Sequence, residues 1–289
     1  LNDCHQDFRG RFQTIDDALP AFDFAGKNVW KWGLGIVNKT VDSASVLLKS
    51  KFPVWDGSDW NTIAETQNPA AICLGILLGY NGLNADPVTV DDIDWESFQD
   101  WYEYCEAQGL ACNIAFVGGN SADSDARTVA AAGAAKLYRW PKFYPIIERD
   151  RSGDPPVQVL TSLNSRDLEI SKSFDELPHG LRIEWLDETN DFREGEPREV
   201  YAPGYDAGNA TRINAPRFEG PTTAAQVDYL GDLMLKQLWY RMKQYTTTVF
   251  QEWLIARPGD VIAANHNVVD PGHFQAYIAD DGVETSGGF

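Results

Sequence analysis

Apolar residues recur at three- and four-residue steps between residues 68 and 137, and mostly at two-residue steps after residue 157. The first period is that of a helix face and the second that of a half-buried strand, so a helical region followed by a β-rich one is predicted. Asn68 is a preferred N-cap, and Pro69 is tolerated at the first helical position, where its missing N–H has no intrahelical partner. A helix therefore starts there, with Ile72, Cys73, Ile76 and Leu77 on one face and Gly79 or Gly82 as its left-handed stop. Trp95, Phe98, Tyr102 and Cys105 predict a second helix over 94–108, ended by Gly109, with Asp91, Asp92, Asp94 and Glu96 at its positive end. Ala111 to Val117 reads as a buried strand, Gly118-Gly119-Asn120 as a turn, 123–137 as a third, Ala-rich helix, and 143–149 as a strand.

The polar stretch 150–156, with Gly153 and two prolines, is the best domain boundary. Beyond it, Leu181, Ile183 and Trp185 alternate with Arg182 and Glu184, and Thr246, Thr248 and Phe250 alternate with Tyr245, Thr247 and Val249. Each set is a strand with two distinct faces. Between them lie a long polar connection, 189–221, and one strong helix opened by Thr223 with Gln226 three residues later, a capping box. Its apolar side is Val227, Leu230, Met234 and Leu238. Arg257-Pro258-Gly259-Asp260 places Pro and Gly at the centre of a type II turn. Residues 1–60, rich in aromatics (Phe8, Phe12, Phe22, Phe24, Trp30, Trp32) and without a sustained helical period, read as a β or irregular segment. The expected organisation is thus α+β: an N-terminal segment over 1–60, an α+β domain over 61–152, and a β-rich domain with one long helix over 153–289.

Charge narrows the function. The 289 residues carry 24 Lys plus Arg against 43 Asp plus Glu, a net charge of −19, which lacks the basic footprint of nucleic-acid binders. No apolar run reaches the length of a membrane-spanning helix, the longest candidate being the interrupted stretch 69–78. The first residue is Leu1, so a processed chain or a fragment of something longer is expected. Cys4, Cys73, Cys105 and Cys112 form no CxxC pair, which points to reduced, mostly buried thiols and not to zinc or a redox dithiol.

Catalytic signatures are sparse. The P-loop, the HExxH pattern and the GxSxG elbow are absent, and Gly33-Leu34-Gly35 lacks the third glycine of a dinucleotide fingerprint. His266 and His273 flank Asp270, but that spacing around Pro271-Gly272 fixes no ligand geometry. The carboxylates and 10 tryptophans invite a glycosidase or carbohydrate-binding reading. Against it, the acidic group at 91–96 suits a helix N-terminus, and Trp95, Trp101, Trp185 and Trp239 sit in periodic elements where core packing explains them. Asn38-Lys39-Thr40 and Asn209-Ala210-Thr211 match the glycosylation sequon, for which chance is the simpler account without a secretory leader. No catalytic, cofactor-binding or metal-binding residue is assigned, and no enzyme activity is expected.

A string of ordered motifs resembles the tail-tip attachment, or host-specificity (J-type), central hub proteins of long-tailed bacteriophages. It runs from Pro53-Val54-Trp55-Asp56-Gly57 through Trp60, Asn68-Pro69-Ala70, Ile93 to Cys105-Glu106, Cys112-Asn113, the Ala-rich helix before Phe143, Leu181 to Asp187, the helix at Thr223 and Thr246 to Phe250, and closes at Arg257 to Ile262. The resemblance implies a β-rich, tube- or barrel-like hub domain beside a smaller α+β domain, a homotrimer closing the tail tube, and contacts with other tail-tip, distal-tail and tape-measure proteins. It also implies location at the virion tail tip after synthesis in the bacterial host cytoplasm, with DNA passing through unbound and no membrane insertion. An acidic channel wall would suit that role, because like charge keeps phosphates from sticking. Two other classes stay open: a carbohydrate-binding or cell-wall-hydrolysing module, and the spike hub of a phage-like secretion apparatus.

Overall fold

The computed structural model describes residues 49–116, 121–172, 176–250, 254–265, 274–278 and 284–287. In chain order the hairpin β1 (Lys51–Val54) and β2 (Thr62–Glu65) leads to helix α1 (Pro69–Leu77), helix α2 (Trp95–Gln108), helix α3 (Ala122–Ala132) and the antiparallel pair β3 (Ala135–Arg139) and β4 (Phe143–Ile147). There follow β5 (Gln158–Thr161), β6 (Ser165–Lys172), β7 (Gly180–Ile183), β8 (Leu186–Asp187), β9 (Arg193–Glu194), β10 (Arg198–Tyr201) and β11 (Ile213–Asn214). Helix α4 (Ala224–Tyr240) then precedes β12 (Lys243–Val249), β13 (Val261–Asn265), β14 (Phe274–Ile278) and β15 (Glu284–Gly287). The fold is α+β, as the pattern predicts.

Helix α1 forms the centre of the larger core, and all nine of its residues are buried. A single apolar face was expected there; the helix is instead wrapped on every side, by α2, α3 and β1. Asn68 caps it by accepting from the Ala70 amide at 3.0 Å, while its own amide nitrogen donates to the Tyr102 carbonyl at 3.1 Å and to Glu106 at 2.9 Å. One cap thus also ties α1 to α2. Helix α2 ends at Gly109, whose φ of +66° is the left-handed geometry glycine tolerates. Its buried face is Phe98, Trp101 and Cys105, with Trp95 and Tyr102 packed at the margin.

Two expectations fail in this region. Helix α3 stops at Ala132 and not at Leu137, because Gly133 passes directly beneath Trp101: a Cβ there would lie 2.7 Å from the indole Cζ2 and 2.7 Å from Pro69 Cβ. The Trp101 indole donates to the Gly133 carbonyl at 2.8 Å, and the chain turns into β3. Residues 111–116 are not a strand; single bonds, Cys112 N–H to the Gln67 carbonyl and Asn113 N–H to the Gly220 carbonyl, hold them in place of a ladder. The turn expected at 118–120 lies outside the described residues.

The 189–221 connection is not uniformly irregular. It supplies β10, antiparallel to β7, and β11, parallel to β7, so β7 becomes the middle of a three-stranded sheet. Leu181, Ile183 and Trp185 are buried as their alternation predicts, beneath α4. The buried stripe of α4 is Val227, Leu230, Gly231 and Leu235, whereas Leu238 is 37 % exposed. Gly231 belongs to that stripe because Ile183 and Val200 press against the helix backbone there. Leu230 joins the α1 core while Val227 and Leu235 join the β7 core, so α4 binds both into one body.

Strands β8 and β9 pair antiparallel with each other, and the other six form a sheet of order β5-β13-β14-β15-β12-β6. Its two edge strands are consecutive in sequence. From Thr161 to Ser165 the chain reaches at most about 15 Å, whereas a flat sheet would set its outermost strands about 24 Å apart. The sheet must therefore curl until its edges approach. Among the described residues β5 and β6 do not pair, so the curled sheet stays open and is not a closed barrel. Its small core of Leu160, Ala256, Ile262 and Ala264, with Val249, shares no residue with the other two.

Candidate functional site

The described residues contain one joint where chemistry from distant parts of the chain converges. It is built on the turn at 257–260. The Asp260 amide donates to the Arg257 carbonyl at 3.0 Å, and Gly259 has φ +87°, the geometry a type II turn needs at its third position. The Asp260 carboxylate reinforces the turn by accepting from the Arg257 amide at 2.8 Å. The turn projects from the sheet into a cleft of about 150 Å³ between α2 and β4, bordered by Ser97, Asp100, Tyr144, Ile146 and Arg151.

Four contacts seat it. Arg257 Nη1 meets Asp94 Oδ2 at 3.0 Å, and its guanidinium lies 4.4 Å from the centre of the Tyr144 ring. The Tyr144 hydroxyl donates to the Pro258 carbonyl at 2.9 Å, and Arg151 Nη1 donates to the Gly259 carbonyl at 2.5 Å. Asp94 is also the N-cap of α2, accepting from the Ser97 amide and hydroxyl. Partial burial pushes its carboxyl up, but the hydrogen bonds from Arg257 and Ser97 and the Arg257 charge outweigh that and hold it below the usual carboxylate range.

A second ion pair lies nearby. Glu148, just past β4, is buried and meets Lys136 at 3.1 Å and Arg241, the C-cap of α4, at 2.8 Å. Burial raises its pKa, and the bonds and charges of Arg241 and Lys136 more than reverse this. A third polar cluster surrounds buried His179. Its ring stacks on Tyr205 at 4.0 Å, with the Thr211 amide nitrogen 3.1 Å from Nδ1 and Arg212 Nε 3.2 Å from Nε2, of which a neutral imidazole can accept from only one. Both ring nitrogens are thus engaged by neighbours, which suits packing rather than proton transfer.

Gln226 departs from the capping box. Thr223 accepts from the Gln226 amide at 3.4 Å, but the Gln226 side chain does not return to the cap. It donates to the Ala111 carbonyl at 2.8 Å and the Ala132 carbonyl at 3.0 Å, and accepts from the Ala111 amide at 3.3 Å. This satisfies the backbone of Ala111, the first residue of the 111–116 segment that forms no ladder.

The residues weighed from sequence come together only in part. Asp94 joins the joint; Asp92 instead closes a capping box with Thr89, and Asp91 and Glu96 stay exposed. Trp101 and Trp185 are buried, and Trp95 and Trp239 are half-buried with their indole N–H groups on the Val90 and Pro178 carbonyls. Gly33-Leu34-Gly35, the Asn38 sequon, Cys4, and the His266, Asp270 and His273 group lie outside the described residues. The Asn209 amide is held within its own loop, on the Gly204 carbonyl and the Asp206 N–H. Among the described residues no cluster of three His, Cys, Asp or Glu could hold a metal ion, and no helix is long and apolar enough to cross a membrane. Sequence reasoning marked the 257–260 turn but not Tyr144 or Arg151 as its seat; only the paired turn residues carried a signal.

The fold has distant likenesses among solved structures. A tail protein from Neisseria meningitidis MC58 aligns over 65% of this chain and 64% of its own, at 13% identity and a TM-score of 0.43. A chain of the virion of a native gene transfer agent particle aligns over 65% of this chain and 45% of its own, at 15% identity and a TM-score of 0.41. The 43 kDa tail protein of prophage MuSo2 from Shewanella oneidensis aligns over 66% and 62%, at 13% identity and a TM-score of 0.38. In each case the alignment spans less than two thirds of the other protein. No curated protein matches the sequence. Over residues 165–274, from the start of β6 to the first residue of β14, the chain is similar to phage tail proteins, matching the model of the family Phage-tail_3, described as "Putative phage tail protein".

Proposed function

We propose that this chain is a structural component of a phage or prophage tail, acting at the tail tip as part of the central hub. The observation that carries the reading is the family match over 165–274, which covers three strands of the six-stranded sheet, β6, β12 and β13, and all of the three-stranded one. The motif string from Pro53 to Ile262 supports the finer assignment. In this reading three copies surround a channel, the curled sheet contributes to its wall, and neighbouring tail and tape-measure proteins contact the body. DNA passes without being bound, and the net charge of −19 is compatible with that passage. The chain works mechanically and performs no catalysis.

Immunogold labelling of purified particles tests the location: label at the tail tip is expected, and label along the tube or on the capsid would overturn the hub assignment. Light scattering on the full-length protein tests the trimer, and a monomer at assembly concentrations would remove the ring. Release of reducing sugar or muropeptide from bacterial cell walls, abolished by a single carboxylate substitution, would overturn the non-enzymatic reading.

A further inference from the structure

We propose that the six-stranded sheet is a separately movable unit, docked on the rest of the molecule by the 257–260 turn through a salt-releasable contact centred on Arg257 and Asp94. The inference stands on the structure alone and does not require the phage reading.

The division follows from where apolar surface is shared. The cores around α1 and β7 both pack on α4, and Phe218 touches both, so they cannot separate without exposing apolar groups. The sheet core shares no residue with either, and its strands pack chiefly on one another. What joins sheet to body is mainly polar: the Arg257–Asp94 pair, the Tyr144 hydroxyl on Pro258, and the Arg151 guanidinium on Gly259. Its apolar elements include Ile146 beneath Gly259 and the buried Tyr144 ring against Arg257. A contact of this composition loses little hydrophobic stabilisation on opening, because water replaces most of its bonds.

Its electrostatic part is open to salt. Side-chain exposure is 40% for Arg257 and 23% for Asp94, so the pair is neither free in solvent nor sealed from it. At about 1 M salt charges are screened within about 3 Å, against about 10 Å at 0.1 M. The neighbouring charges do not replace Asp94: Asp260 meets Arg257 at 3.8 Å but moves with the turn, Arg149 faces Asp100, and Arg151 faces Asp154. The crossings after β4 and after α4 are clipped together by Glu148 and Arg241, which gives the sheet a fixed pivot. Opening the turn contact would therefore swing the sheet about that root and leave both bodies folded.

Hydrogen exchange on the intact chain, at about 0.05 M and about 1 M salt, tests this. Amides in 143–147 and 256–260 should exchange about three- to tenfold faster at high salt, the scale of a half-exposed ion pair. Amides of α1, and of β6 with β12, should keep their protection. Asp94→Asn keeps a good N-cap while removing the charge; it should show the fast exchange already at low salt and no further salt response. Tyr144→Phe removes a neutral bond, so it should raise exchange at both salts and keep the salt response. Protection at the joint that ignores salt, an Asp94→Asn chain that responds to salt like the wild type, or sheet amides that lose protection in step with the joint would each overturn the proposal.

Discussion

Substituting Gly259 by Ala probes the joint most directly. Two costs add. At φ +87° a side chain enters the left-handed region, which costs about 1–2 kcal/mol for a residue other than glycine. The new Cβ would also press into Ile146, lying 2.7 Å from Cγ1 and 3.1 Å from Cγ2. Ile146 is 8% exposed and β-branched, so it cannot rotate away without disturbing its neighbours, and overpacking of this kind costs about 1–3 kcal/mol. The sum is about 2–5 kcal/mol, at least twice what the turn geometry alone implies. Thermal unfolding reads it as a drop of roughly 2–4 °C per kcal/mol, expected in the transition that involves the sheet. The control is the same substitution in an Ile146→Ala background, where the clash is gone and only the backbone cost of about 1–2 kcal/mol should remain. An undiminished cost in that background, or a single-variant cost below about 1 kcal/mol, would refute the account of Gly259 as a close-packed plug.

Other outcomes follow from the same contacts. Gln226→Ala should cost about 2–4 kcal/mol in urea unfolding, because it strands the carbonyls of half-buried Ala111 and buried Ala132, whereas Thr223→Ala should cost only about 1 kcal/mol. Equal costs would restore the simple capping box. Glu148→Gln should destabilise by about 1–3 kcal/mol at neutral pH. Since the folded-state pKa of Glu148 lies below its unfolded value near 4.3, its contribution is complete above that pH and is lost as pH falls through the lower folded value. The variant should accordingly show a flatter stability profile below about pH 4.3, measured by denaturation across pH. Cys73, Cys105 and Cys112 should resist thiol reagents in the native state, since burial pushes all three thiols upward, Cys112 to about 12. Rapid labelling of these three by a thiol reagent at pH 8 would contradict their burial.

Sequence by itself determined the local features whose physics is local. Asn68-Pro69, Gly109 and Pro258-Gly259 specify a cap, a stop and a turn through hydrogen-bonding groups and allowed dihedrals within a few residues. The alternation at 181–185 likewise fixes which side of a strand is apolar, whatever covers it. Tertiary structure decided everything that depends on a partner far along the chain. Helix α3 ends early because Trp101 occupies the space that another turn of helix would need. Residues 111–116 read as a strand, but their partners are Gln67, Gly220 and Gln226, and three separate elements cannot form a ladder. The clearest case is the joint, where Arg257 and Asp94 stand 163 residues apart. Each residue had a sufficient local explanation, a turn and a helix cap, and no periodicity links positions whose proximity arises only when the curled sheet is laid against α2 and β4.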